Sequence, residues 1–155
     1  MMSLCCKVLE SLSGKTLVTA ESCTGGGIGA ALTAIAGSSA VYKGGIISYT
    51  NEVKSEILGV DCRVLREYGA VSAPVAAAMA SGARKVLCAD VAVSVTGLAG
   101  PGGDDFGNPV GTVFIGYADA DRVETRKYHF TGIREDVRCN AVKEALNLIL
   151  YYNTK

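Results

Sequence analysis

Apolar residues recur with helical spacing at Leu4, Cys5, Val8, Leu9 and Leu12 and stop before Gly14, which predicts a helix over Met2–Ser13. Lys15–Ala20 follows as a short apolar run and reads as the first strand. Small residues interleaved with Ile28, Leu32 and Ile35 predict a helix over Thr24–Ala36, closed by Gly37. Ser38–Tyr42 reads as a turn or short helix, and β-branched Gly44–Tyr49 as the second strand. Asn51 is a good N-cap for a helix reaching about Leu58, and Asp61 for another over Cys62–Tyr68. Ser72-Ala73-Pro74 opens a long helix to Cys88, with Pro74 near the first turn, where its missing N–H costs nothing.

Asp90–Thr96 alternates valine with small residues as a buried strand does, and Gly97–Asn108 is a glycine-rich loop. Val110–Tyr117 and Arg122–Phe130 read as strands of a hairpin turning at Asp119–Asp121. The last helix, Ile133–Tyr152, places Val137, Ala141, Ala145, Leu148 and Tyr152 on one face. Early alternation of helices and strands followed by a hairpin predicts an α/β fold, a three-layer α/β/α sandwich with a mixed, mostly parallel sheet. The loops after the first and third strands should then meet at one sheet edge, where open α/β folds bind ligands.

The stretch Thr19–Gly29 carries the densest chemistry. Ser22 and Thr24 stand beside Gly25-Gly26-Gly27 on an exposed strand-to-helix turn. Glycines allow close backbone approach, and a helix N-terminus favours negative charge, so the turn suits a phosphate or an activated hydroxyl. Gly25–Ala30 also fits G-x-G-x-x-G/A loosely, but Tyr49 and Thr50 stand where a dinucleotide site wants an acid. Lys54 falls in the first turn of its predicted helix, where a cation is disfavoured and its pKa lowered. It is either a neutral base paired with a serine or a solvated surface lysine. Tyr49 could relay a proton.

Arg134 and Arg138 lie four apart at the start of the last helix and can face one anion, or merely balance Glu135 and Asp136. His129 reads as a structural or exposed strand histidine, and Asp104-Asp105 as a solvated turn. Cys23 adjoins Ser22 at a predicted helix N-terminus, a place that stabilises a thiolate, although packing is the simpler role.

Composition narrows the function further. The chain has 155 residues, 49% of them hydrophobic, and reads as a single domain over 1–155. Fifteen basic and fifteen acidic residues cancel, which gives no electrostatic support for binding nucleic acid or a membrane surface. Six scattered cysteines, no C-x-x-C pair and one histidine argue against a zinc site and for a reducing, cytoplasmic compartment. No signal peptide or spanning segment is expected.

Seven short motifs resemble one family. They are Ala-Glu-Ser-Cys-Thr-Gly-Gly at 20–26, Gly-Ser-Ser at 37–39, Ser-Tyr-Thr-Asn-Glu-Val-Lys at 48–54 and Tyr-Gly-Ala-Val-Ser at 68–72. Val-Thr-Gly-Leu-Ala-Gly-Pro-Gly-Gly at 95–103, Pro-Val-Gly-Thr-Val at 109–113 and Phe-Thr-Gly-Ile-Arg at 130–134 complete the set. The sequence is similar to the C-terminal domain of the competence/damage-inducible protein CinA, also found as a stand-alone nicotinamide-nucleotide amidohydrolase. The resemblance implies hydrolysis of the carboxamide of nicotinamide mononucleotide to nicotinate mononucleotide and ammonia, with no metal or organic cofactor. It implies Ser22 as nucleophile and Lys54 as its base, with Tyr49 nearby.

The expected substrate-binding positions are Thr24, Gly25, Gly26, Thr96, Gly97, Gly100, Gly102 and Arg134. Two positions depart from the family's pattern: Thr50 stands where serine is common, and Ile133 where an aspartate usually precedes the arginine. The expected partners are a small-molecule nucleotide substrate and further copies of the chain in a homo-oligomer, with no nucleic acid and no membrane. The competing reading is a non-catalytic nucleotide- or phosphate-binding module that keeps the glycine loops while Ser22 and Lys54 lie idle.

Overall fold

A computed structural model describes residues 1–154. Its elements are α1 (Met2–Ser11), β1 (Leu17–Glu21), α2 (Gly27–Thr33), a 3-10 turn (Ser38–Ala40), β2 (Tyr42–Ile47), α3 (Asn51–Glu56) and α4 (Cys62–Tyr68). Then come α5 (Ala73–Val86), β3 (Val91–Gly97), β4 (Thr112–Ala118), β5 (Val123–His129) and α6 (Arg134–Asn153). The five strands form one sheet in the order β2-β1-β3-β4-β5. β1 pairs in parallel with β2 and β3, while β4 is antiparallel to both β3 and β5. Four strands therefore share one direction and β4 alone is reversed, the mixed, mostly parallel sheet expected from the alternation of elements.

Both faces of the sheet are covered. Leu17, Val93, Val95, Val113 and Ile115 pack with Val8 of α1, Leu32 of α2 and Val137 and Leu146 of α6. The opposite face, with Val18, Ala20 and Ala92, packs against Val75 and Met79 of α5, Leu65 of α4 and Leu58. Successive strand side chains point to opposite faces, so the central strand β1 must be apolar or satisfied on both sides, and all five of its residues are buried. That alternation decides the site. Glu21 faces α2, whereas Ser22, whose N–H continues the ladder by donating to the Val95 carbonyl at 2.9 Å, faces α3.

Three local expectations shift. β2 begins at Tyr42 and ends at Ile47 instead of running from Gly44 to Tyr49. A break in register near Lys43 explains this, because Leu17 pairs with Tyr42 and Val18 already with Gly44. Tyr49 consequently lies beyond the strand. Thr50, not Asn51, caps α3, its hydroxyl accepting from the Val53 N–H at 3.3 Å. The helix after the key turn starts at Gly27, not Thr24, because Gly26 adopts φ 96°, a left-handed conformation that glycine reaches without strain.

Candidate active site

The carboxyl ends of β1, β2 and β3 meet at one edge of the sheet and open a cavity of about 280 Å³. Ser22, Lys54 and Tyr49 line it, and so do Thr96, Gly97, Gly100 and Gly102 of the third-strand loop. Arg134, the first residue of α6, closes one side. Thr24, Gly25 and Gly26 are not brought into this cavity. Asn51 and the Ala70–Val71 pair form part of the wall and were not expected there. Asn51 lies within the motif at 48–54 and Ala70-Val71 within the motif at 68–72, so the motifs were the signal that could have found them.

Lys54 decides the chemistry of the cavity. Its Nζ donates to the Ser48 carbonyl at 2.7 Å and to Ser22 Oγ at 3.1 Å. The side chain is 1% exposed, which removes the solvated-surface reading. Desolvation, rather than helix-end placement, pulls its pKa down to about 8. A lysine so placed is neutral in a useful fraction of molecules near neutral pH: roughly a tenth at one unit below its pKa. Ser22 is 7% exposed, so it is less open than a turn residue is expected to be.

The turn around Ser22 is clamped from two sides. Glu21, 1% exposed, accepts the N–H groups of Gly26, Ile28 and Gly29 at 3.0, 3.1 and 3.0 Å. Its carboxylate is thus the anion at the N-terminus of α2, and the Gly26 N–H expected to hold a substrate group is already taken. The Gly25 N–H is likewise committed, to the Ser22 carbonyl at 3.0 Å. On the outer side, Arg138 donates from Nε to the Cys23 carbonyl and from a terminal nitrogen to the Thr24 carbonyl, both at 3.1 Å.

Arg134 and Arg138 therefore do not converge on one anion. Arg134 bonds to the Gly100 carbonyl at 2.5 Å and to the Tyr49 hydroxyl at 2.9 Å, bridging two walls of the cavity. Among the described residues, neither arginine pairs with an acid; Asp136 instead accepts the Ile133 N–H at 2.9 Å and caps α6. Tyr49, 59% exposed, meets Arg134 at the rim and makes no hydrogen bond to Ser22 or Lys54 among the described residues. The relay expected of it is therefore not in contact with the pair it was to serve.

Cys23 is buried, and that burial pushes its thiol up to about 11 despite Lys54 and Arg138 nearby. A protonated thiol at neutral pH is a poor nucleophile, so Ser22 is the better one. His129 is exposed at the end of β5, outside the cavity. Asp104 is not idle in its turn. It accepts from the Phe106 and Asn108 N–H groups and from Asn108 Nδ2, and the same amide reaches the Val71 carbonyl at 3.1 Å. The glycine loop is thereby tied to the opposite wall.

The CinA C-terminal domain family matches the chain over residues 3–152. The chain belongs to that family. A CinA-like protein of Geobacter sp. (strain M21) is 49% identical over 140 residues, 90% of this chain and 34% of the relative. A putative competence-damage inducible protein of Halothermothrix orenii is 48% identical over 145 residues, 93% of this chain and 35% of the relative. The chain thus spans about a third of the length of these curated relatives.

Among solved structures, CinA superfamily proteins superimpose almost throughout. The competence/damage inducible protein CihA of Agrobacterium tumefaciens gives a TM-score of 0.95 at 39% identity, covering 99% of this chain and 95% of its own. A CinA superfamily protein of Klebsiella pneumoniae 700603 gives 0.93 at 36%, covering 96% and 94%. The CinA sheet and its flanking helices are therefore the frame on which the Ser22–Lys54 cavity stands. Among the described residues, no helix is long and apolar enough to cross a membrane.

Proposed function

We propose that this CinA-family chain is an amidase that hydrolyses the carboxamide of nicotinamide mononucleotide, giving nicotinate mononucleotide and ammonia. The reaction type rests on one observation: a buried lysine of lowered pKa, 3.1 Å from a serine hydroxyl that lines a cavity. The choice of nicotinamide mononucleotide rests on the motif resemblance. Ser22 Oγ attacks the carboxamide carbon while Lys54 Nζ takes its proton. The tetrahedral intermediate collapses, the C–N bond breaks, and the departing nitrogen takes that proton and leaves as ammonia. Water then attacks the acyl-Ser22 ester, losing a proton to neutral Lys54, which returns it to Ser22.

The developing oxyanion needs donors, and the Cys23 and Thr24 N–H groups have no acceptor among the described residues. In the part of the wall supplied by the third-strand loop, the N–H groups of Gly100 and Gly102 also lack one, which suits a substrate phosphate beside Arg134.

Ammonia release from nicotinamide mononucleotide by the purified chain tests the proposal. Ser22→Ala should abolish turnover and leave ligand-induced thermal stabilisation in place, because Lys54 keeps its bond to Ser48. Binding without ammonia release in the unsubstituted chain would instead establish the non-catalytic nucleotide-binding module.

A further inference from the structure

Among the described residues, Arg138 is the one cationic side chain bonded to the backbone of the nucleophile turn, and the reaction above leaves it without a role. It bonds the carbonyls of two successive peptide units, Cys23–Thr24 and Thr24–Gly25. A trans peptide points its C=O and N–H in opposite directions, so holding a carbonyl outward aims the paired N–H inward. The second unit follows that rule visibly: its carbonyl meets Arg138 and its N–H donates back to the Ser22 carbonyl at 3.0 Å. In the first unit the carbonyl also meets Arg138, while the Thr24 N–H has no acceptor among the described residues.

We propose that Arg138 is a positioning residue that aims the Thr24 N–H at the oxyanion formed on attack by Ser22. The inference rests on the reading of Ser22 as the nucleophile. A guanidinium also polarises the carbonyl it binds, which strengthens the opposite N–H as a donor. Glu21 cannot substitute for it, because its carboxylate fixes the later N–H groups of Gly26, Ile28 and Gly29. The alternative is that Arg138 only fastens α6 to the turn, which would move stability and leave the chemical step alone.

A fluorophosphonate tests this without relying on any amide substrate. The Ser22 Oγ–P bond forms, the P–F bond breaks, fluoride leaves and Lys54 takes the hydroxyl proton, through a transition state that places negative charge on the phosphoryl oxygen. Arg138→Ala should slow labelling of Ser22 roughly 10- to 100-fold, the scale of one misaimed oxyanion donor. Arg138→Lys, which keeps one cationic donor, should fall between the two, and it carries the test if the alanine variant does not fold. Added guanidinium should recover part of the rate in Arg138→Ala, while the pH midpoint of labelling, set by Lys54, stays where it is. An unslowed rate in a folded Arg138→Ala protein overturns the positioning role, as does a slowing that follows thermal stability and ignores guanidinium. Equal labelling of Ser22→Ala overturns the nucleophile assignment beneath it, a failure distinct from that of Arg138.

Discussion

Lys54 Nζ lies 3.1 Å from Ser22 Oγ across 32 residues of sequence, in a position where the lysine is 1% exposed. The ammonium form has lost its water and gained only the Ser48 carbonyl and one hydroxyl in return. No carboxylate compensates it among the described residues, since the nearest buried acid, Glu21, is spent on the N-terminus of α2. That imbalance is why burial lowers its pKa, and why the same residue should control both rate and stability.

The neutral amine is the reactive form, so kcat/KM for amide hydrolysis should rise with pH, with unit slope, and level off above a midpoint at about 8. Lys54→Met should remove both the activity and the midpoint. A profile flat from about pH 6 to 10 would remove Lys54 as the base.

The same shift has a signature in stability. An unfolded chain with an ordinary lysine pKa of 10.5 keeps a proton that the folded chain releases above about 8. The unfolded state therefore binds more protons in that window, and raising the pH through it stabilises the fold. Urea melts of the unsubstituted chain and of Lys54→Met, compared between those two pH values, should diverge in favour of the former as pH rises. Parallel curves would mean that Lys54 is better solvated than its burial implies.

Glu21 gives a second measurable consequence. Three N–H groups depend on its carboxylate, and Ile28 N–H lies wholly in the interior. Glu21→Ala should cost about 3 kcal/mol or more, because it strands buried donors as well as losing charge-assisted bonds. Glu21→Gln retains one acceptor oxygen but turns an NH2 toward the same donors, so its loss should be smaller, about 1–2 kcal/mol. Urea titration at neutral pH measures both. A change within about 0.5 kcal/mol for the alanine variant would show that water satisfies the α2 terminus and that Glu21 is not its anion.

Much of the fold was readable because periodicity is local. Valines alternating with small residues at Val91–Thr96, and the Val137–Ala141–Ala145–Leu148 stripe, name their elements from spacing alone. The start of β2 was not, because the register break near Lys43 depends on its pairing with β1. The Ser22 and Lys54 motifs stood out as residue types, but Lys54's burial depends on Ser48 and Ser22 meeting it in space. Long-range bonds also explain the misplaced expectations. Whether Gly26 and Gly25 offer free donors is settled by Glu21 and by the Ser22 carbonyl, and whether Arg138 can join Arg134 is settled by the carbonyls of Cys23 and Thr24.

Arg134 carries the last prediction. Its guanidinium has five N–H donors, and two are directed at the Gly100 carbonyl and the Tyr49 hydroxyl, leaving others for a ligand in the cavity. The side chain is bonded to the loop whose Gly100 and Gly102 line the cavity, and their N–H groups could complete a phosphate cradle. A phosphate held there binds at a distance from the amide and contributes affinity and positioning more than it stabilises charge at the reacting carbon. Arg134→Ala should therefore raise KM for nicotinamide mononucleotide by about 10-fold or more, the scale of one lost charge-assisted bond, and barely change any turnover of free nicotinamide. If Arg134 serves only to join the two walls of the cavity, the variant should lose a few tenths of a kcal/mol to about 1 kcal/mol of stability and hydrolyse both substrates as before. Tyr49→Phe separates these roles further, since it breaks the bridge at the hydroxyl and keeps the guanidinium. It should leave KM nearly unchanged if the cation binds phosphate directly, and raise it as Arg134→Ala does if the bridge itself shapes the cavity. Steady-state rates on both substrates for the two variants, with thermal melts of each, decide the matter; equal loss on both substrates would place Arg134 with the amide chemistry or the fold and remove it from the phosphate site.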